Sequence, residues 1–392
     1  MKVNFLTLIL IVYTALTEHM ISIASFNIRI SHLFAAIFVF YNLNKYILKN
    51  FQFNSKIILS YFLIIFFVIL NDIIIGVKLL NIFNSIFFYL MSLILYFFFF
   101  NIFLKNENNL AKFFIFSFLS LLIYKEGFFL FFYDQESLAG KAAIFGSRYA
   151  SPFFYLTLGI SYYFILKKKN SYFLLSNLLF LSLVFYYWSF SHIFIITTTL
   201  ILFYVLLIFN IRISYISFLF IIFVSIFLID IFLLRTFFNE LLVFLFTKRA
   251  DTFTFIPNIL DNFPIGSGSK SIINNYYENF LEVKKYLNSK GDDTYALVSN
   301  ENYTTTHSMV MHMLLKHGFF ATMPFLYLFY NMASTIFKIL SHKKINRGSK
   351  YLSTFIFAFF TYALMFNGIG SFLIEFPIYN GFVMSIKKKY TL

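Results

Sequence analysis

Apolar runs fill this chain, each about as long as one α-helix needs to cross a hydrocarbon core, roughly 20 residues. They lie near 3–22, 31–48, 57–76, 79–104, 112–133, 150–166, 171–188, 191–210, 213–234, 308–338, 351–367 and 370–386. The pattern predicts an all-α, polytopic integral membrane protein of about twelve transmembrane helices with one large outer loop. Three parts follow: 1–234 with nine spans and a small outer loop at 125–150, the loop 235–307, and 308–392 with three spans. Charged residues make up only 12% of the 392 positions, against ~25% in a soluble domain. A soluble globular fold is therefore excluded. The first run, Val3–Thr17, follows one lysine and lacks a small-residue cleavage site, which predicts a retained span.

The polar connections carry a strong charge asymmetry. Lys2, Lys45, Lys49, Lys56, Lys105, Lys112, Lys167–Lys169, Arg212, Lys338, Lys343, Lys344, Arg347, Lys350 and Lys387–Lys389 fall on one side, with Glu107 as their only acid. The other 13 basic residues share the opposite side or the membrane with 15 acids. Lysine and arginine collect in cytoplasmic loops, so both termini are expected in the cytoplasm. The net charge of +15 thus reports topology, and no nucleic-acid partner is implied. Cysteine is absent, which removes disulfides, thiol nucleophiles and cysteine-held metals. Aromatic runs such as Phe97–Phe100 are read as helix-packing or lipid-facing surface.

The outer segment of about 70 residues from Arg235 to Thr306 is much longer than an ordinary connection, and such loops usually carry function. A helix is expected within it at 271–288. Arginine is scarce on the basic side (Arg212, Arg347), whereas Arg29, Arg148, Arg235 and Arg249 all fall outside. Its planar fork binds phosphate bidentately, which lysine does not do. Arg148, in Gly146-Ser147-Arg148-Tyr149-Ala150-Ser151-Pro152, and Arg249 suit the clamping of a diphosphate, or each serves a neighbouring acid such as Asp251 or a lipid headgroup. His307 opens the tenth span after Tyr303-Thr304-Thr305-Thr306, where an imidazole can take a proton or donate to phosphate, or simply rest at the interface.

His312 and His317 follow at intervals of five, a net rotation of about 140° on an ideal helix. They are not expected on one face, and no metal site is expected from them. Pro264-Ile265-Gly266-Ser267-Gly268 offers backbone N–H groups that can approach a phosphate, or an ordinary turn. It has no Walker lysine. Asp230, Glu375 and Lys316 are charged residues within spans, which are functional candidates by default.

Taken together these residues resemble the O-antigen polymerase and ligase family. The shared pattern is an arginine in the large outer loop (Arg249), a turn (Asn262-Phe263-Pro264-Ile265-Gly266-Ser267-Gly268, with Phe263 inserted after the Asn) and a His-Ser pair heading a helix that soon reaches glycine (His307-Ser308 to His317-Gly318). The motifs cover about 146–152 and 249–320. His192, in Ser189-Phe190-Ser191-His192, departs from the Ser-Arg pair of many relatives.

The resemblance implies a membrane glycosyltransferase of the C-type architecture, working at the periplasmic face of the inner membrane with no cofactor and no metal. Its donor is an undecaprenyl-diphosphate-linked oligosaccharide. Arg148 and Arg249 would neutralise the departing diphosphate, and His307 would activate the acceptor. Arg235, Gly266, Gly268, Tyr303 and His312 would line the substrate site. Membrane lipids and a chain-length regulator protein are the further partners implied. A polymerase is the leading expectation. A ligase acting on lipid A core is its alternative, and a polysaccharide flippase, with charges lining a cavity and only short loops, is the rival from another class.

Overall fold

The computed structural model describes residues 20–23, 26–29, 55–105, 152–186, 195–203, 259–260, 262–269, 308–366, 370–373 and 375–392. Their secondary structure is helical except for one short antiparallel hairpin. Strands β1 (Met20–Ile23) and β2 (Phe26–Arg29) pair with Met20 opposite Arg29 and Ile23 opposite Phe26. This corrects the end expected for the first span, whose last residues are strand. The segment is rich in isoleucine (Ile21, Ile23, Ile28), and β-branched side chains favour strand over helix.

The helices are α1 (Ser55–Ile75), α2 (Leu79–Lys105), α3 (Pro152–Leu166), α4 (Asn170–Tyr186), α5 (Met309–Ser341), α6 (Arg347–Phe366), α7 (Gly370–Leu373) and α8 (Glu375–Lys389). Residues 195–203 are also helical. Two of these elements, Ser55–Ile75 and Leu79–Leu104, are long and apolar enough to cross a membrane. Helix α1 shows why its sequence suits a lipid boundary. Ile57, Tyr61, Ile64, Val68, Asn71 and Asp72 recur at three- and four-residue intervals and are buried. Leu59, Phe62, Phe66, Leu70 and Ile73 form the opposite face and are exposed. A continuous apolar stripe of that kind is unfavourable against water and neutral against hydrocarbon.

Helix α2 packs most extensively on α8, and α1 on α5; α5 also packs on α6 and α8, and α3 pairs with α4 and touches α6. Aromatic rings fill the centre. Phe325 meets Phe372 at 4.8 Å and Phe329 meets Phe376 at 4.5 Å between ring centroids, and Phe360 closes on Phe376 at 5.4 Å. Offset and edge-on pairs at these distances are each favourable by about 0.5–1.5 kcal/mol beyond the area they bury. Within Phe97–Phe100, Phe98 and Phe99 are buried in this core.

The two ends of the bundle differ in charge. At one, Lys56 of α1, Lys338 of α5 and Lys387 of α8 come together, and burial followed by repulsion from Lys338 and Lys56 holds the Lys387 ammonium below the ordinary lysine range. Asp72 lies about 24 Å along α1 from Lys56, at 1.5 Å per residue. It marks the other end, where the candidate site residues gather.

Candidate functional site

Helix α5 begins with a cap. Ser308 Oγ accepts the Met311 N–H at 3.3 Å and donates to the Leu364 carbonyl of α6 at 3.0 Å. A serine at this position satisfies one of the free N–H groups of the first turn. It also fixes the start of α5, the residue after His307, against α6.

Within three turns the helix opens. Gly318 has φ 72° and ψ −176°, outside helical geometry. An open helix leaves carbonyls without partners, and in a membrane-embedded environment each such group costs several kcal/mol. Here the turn at Pro264–Ser269 supplies the partners. The Ser267 N–H donates to the Leu315 carbonyl at 2.7 Å, and Ser267 Oγ–H to the same oxygen at 2.8 Å. The Gly268 N–H donates to the Lys316 carbonyl at 2.9 Å, joined by Asn71 Nδ2 at 3.2 Å. In return the Phe319 N–H, which an unbroken helix would give to Leu315, donates to the Pro264 carbonyl at 2.8 Å. The turn closes on itself through the Gly266 N–H and the Asn262 carbonyl at 2.8 Å.

Glycine is required on both sides of this contact. A Cβ at Gly318 would stand 2.1 Å from the Ile265 carbonyl oxygen and 2.3 Å from that of Pro264. A Cβ at Gly266 would stand 2.5 Å from the Gly318 nitrogen. Both have positive φ, 72° and 92°, which side-chain-bearing residues avoid. Gly266 is therefore placed for close approach of backbone to backbone, while Gly268 lies against the Val77 side chain. The amides of Ser267 and Gly268, which the sequence left open to a phosphate or to an ordinary turn, face helix carbonyls, and a phosphate on them would have to replace these bonds.

Beneath the break lies a buried polar group. Asp72 is 0% exposed, and both its oxygens accept from Ser269: Oδ1 from the N–H at 2.8 Å, Oδ2 from the hydroxyl. Lys316 is 1% exposed and acts on Asp72 electrostatically. His312 and His317, 8% and 5% exposed, lie with ring centroids 6.2 Å apart. Neither Nδ1 has a hydrogen-bond partner among the described residues. Tyr89 of α2 stands edge-on to His317 at 5.8 Å and donates its hydroxyl to Met313 Sδ at 3.3 Å.

Of the residues assigned to the substrate site from sequence, Gly266, Gly268 and His312 fall within the described part, and all three gather at this break. Arg148, Arg235, Arg249, Tyr303 and His307 lie outside the described residues, as do the helix expected at 271–288, His192 and Asp230. Sequence reasoning missed the pairing of His312 with His317. A 140° rotation separates their positions on an ideal helix, yet two imidazoles on flexible stems reach across it where the helix is about to open. It also missed Asp72. The signal was available: an acid next to Asn71 inside the third apolar run, which is as notable as Lys316 in the tenth.

No protein-family model matches this chain, and neither a curated protein nor a solved structure shows a match to it.

Proposed function

We propose that the protein is a polytopic membrane glycosyltransferase, an O-antigen polymerase. It joins undecaprenyl-diphosphate-linked repeat units at the periplasmic face of the bacterial inner membrane, with about twelve spans and both termini in the cytoplasm. The observation that supports this reading best is the docking of the Pro264–Ser269 turn on the break at Gly318. It joins the two halves of the motif, the loop turn and the His307-headed helix, at one end of the bundle. It does so over a lysine and two histidines, at the end away from Lys56, Lys338 and Lys387. Such a place suits an anionic headgroup at the membrane surface, with the lipid tail against apolar helices.

The chemistry follows from those groups. The acceptor hydroxyl oxygen attacks the anomeric carbon of the donor, the carbon–oxygen bond to the diphosphate breaks, and the electron pair leaves with undecaprenyl diphosphate. His307 takes the acceptor's proton, as an imidazole with a near-neutral pKa can. Arg148 and Arg249 neutralise the charge developing on the leaving group, the kind of electrostatic contribution that commonly dominates catalysis. Arg235, Tyr303 and His312 contact the sugar or diphosphate, and Lys316 adds a fixed positive charge below.

The test is a deletion strain complemented with variants, read as lipopolysaccharide ladders on gels. A polymerase deletion leaves core capped by a single repeat unit; bare core with accumulated lipid-linked polymer would instead mean a ligase, and repeat units trapped on the cytoplasmic side of the membrane a flippase. Arg249→Ala and His307→Ala are expected to abolish long chains, and a normal ladder from either variant removes that residue's catalytic assignment. Arg249→Lys separates charge from geometry, since full activity would mean that bidentate phosphate recognition is not what Arg249 supplies.

A further inference from the structure

Asp72 is the one acid of α1 and is fully buried, where an unpaired carboxylate would be expensive. Its two oxygens are both directed at one residue of another segment, Ser269, through the backbone N–H at 2.8 Å and the side-chain hydroxyl. The preceding residue, Asn71, reaches the same junction from the helix side, donating Nδ2 to the Lys316 carbonyl at 3.2 Å. The carbonyls of Leu315 and Lys316 hold the turn at Ser267 and Gly268. The turn is thus held from two helices: by main-chain bonds from α5, and by one carboxylate from α1. Main-chain bonds fix its distance from the break. The carboxylate fixes its lateral position, because it grips the residue at which the turn leaves α5.

We propose that Asp72 is a positioning residue that clamps the exit of the Gly-Ser-Gly turn, and so sets where the long loop is anchored above Lys316, His312 and His317. This rests on the reading that the loop carries the reaction. Lys316 sets an opposite charge against the carboxylate, whose two oxygens both accept from Ser269.

The chain contains no cysteine, so a single introduced thiol reports local exposure without background. In purified detergent-solubilised protein carrying Ser267→Cys, maleimide labelling is slow in the parent and at least fivefold faster with Asp72→Ala. A Thr391→Cys control at the far end, where Thr391 is exposed, labels at the same rate in both backgrounds. Ser269→Ala gives a smaller increase, because its N–H remains, and the double variant labels no faster than Asp72→Ala alone, the signature of two residues acting as one contact. Unchanged labelling of the turn thiol with Asp72→Ala, equal acceleration at the turn and at the control position, or fully independent effects of the two substitutions would each overturn the proposal. Labelling needs no enzymatic activity, so the clamp fails or stands apart from the polymerase assignment.

Discussion

Helix α5 contains a glycine and a proline six residues apart, and it is the glycine that opens it. Proline lacks the N–H that would reach back four residues and is the usual reason a helix kinks. Yet α5 continues through Pro324, buried among the packed helices. Gly318, by contrast, sits at φ 72°, and the residues around it have exchanged helix partners for those of the loop turn. Thr322 Oγ1 donates to the Gly318 carbonyl at 2.7 Å, the same bond four residues back that Thr335 makes to Asn331 in the unbroken part of α5. A helix in an apolar setting tolerates one missing donor. It opens fully only where another segment can supply donors and acceptors together. The break is therefore a docking site, whereas the proline is a local packing feature.

That contrast is open to substitution. Gly318→Ala should have the largest effect, about 3–5 kcal/mol, because an added methyl group meets two carbonyl oxygens and the conformation itself is strained. A thermal-shift measurement that shows no fall in Tm would mean the turn is not seated there. Gly266→Ala should cost about 2–3 kcal/mol by the same assay, since its nearest clash is with a single backbone nitrogen, at 2.5 Å. Ser267→Ala removes one hydroxyl contact while the main-chain bond from the same residue remains, so a loss of about 1 kcal/mol is expected. Pro324→Ala should fall within about 1 kcal/mol of the parent and leave thiol labelling at the turn unchanged. If it instead frees the turn, the proline belongs to the docking device and the comparison fails.

Much of the helical framework was legible beforehand. The runs 57–76, 79–104, 171–188 and 351–367 correspond to Ser55–Ile75, Leu79–Lys105, Asn170–Tyr186 and Arg347–Phe366. A long apolar stretch with lysines at its edges has few other ways to satisfy its backbone, which is why edges are readable within a few residues. Met309–Ser341 likewise covers the tenth run, but its opening at Gly318 was invisible, because glycine inside a helical pattern is tolerated and says nothing of what docks against it. The site was legible only as separate pieces. The Gly-Ser-Gly turn and His312 could be named from their residue types, but that the turn's amides would serve a broken helix depends on a contact between residues some 50 positions apart. Asp72 is a different case: an acid inside an apolar run carries the same signal as Lys316, but its partner Ser269 is an unremarkable residue almost 200 positions away.

Hydrogen–deuterium exchange read by mass spectrometry on the membrane-reconstituted protein tests the docked turn most directly. Backbone hydrogen bonds of a seated turn slow exchange by a factor that grows exponentially with the free energy of opening it. The peptide carrying Ser267 and Gly268 should be protected together with the one carrying Phe319, and both should lose protection in Gly318→Ala. If the Ser267–Gly268 amides exchange as fast as an open loop in the parent protein, the turn is not docked on α5, and the site built on that contact is contradicted.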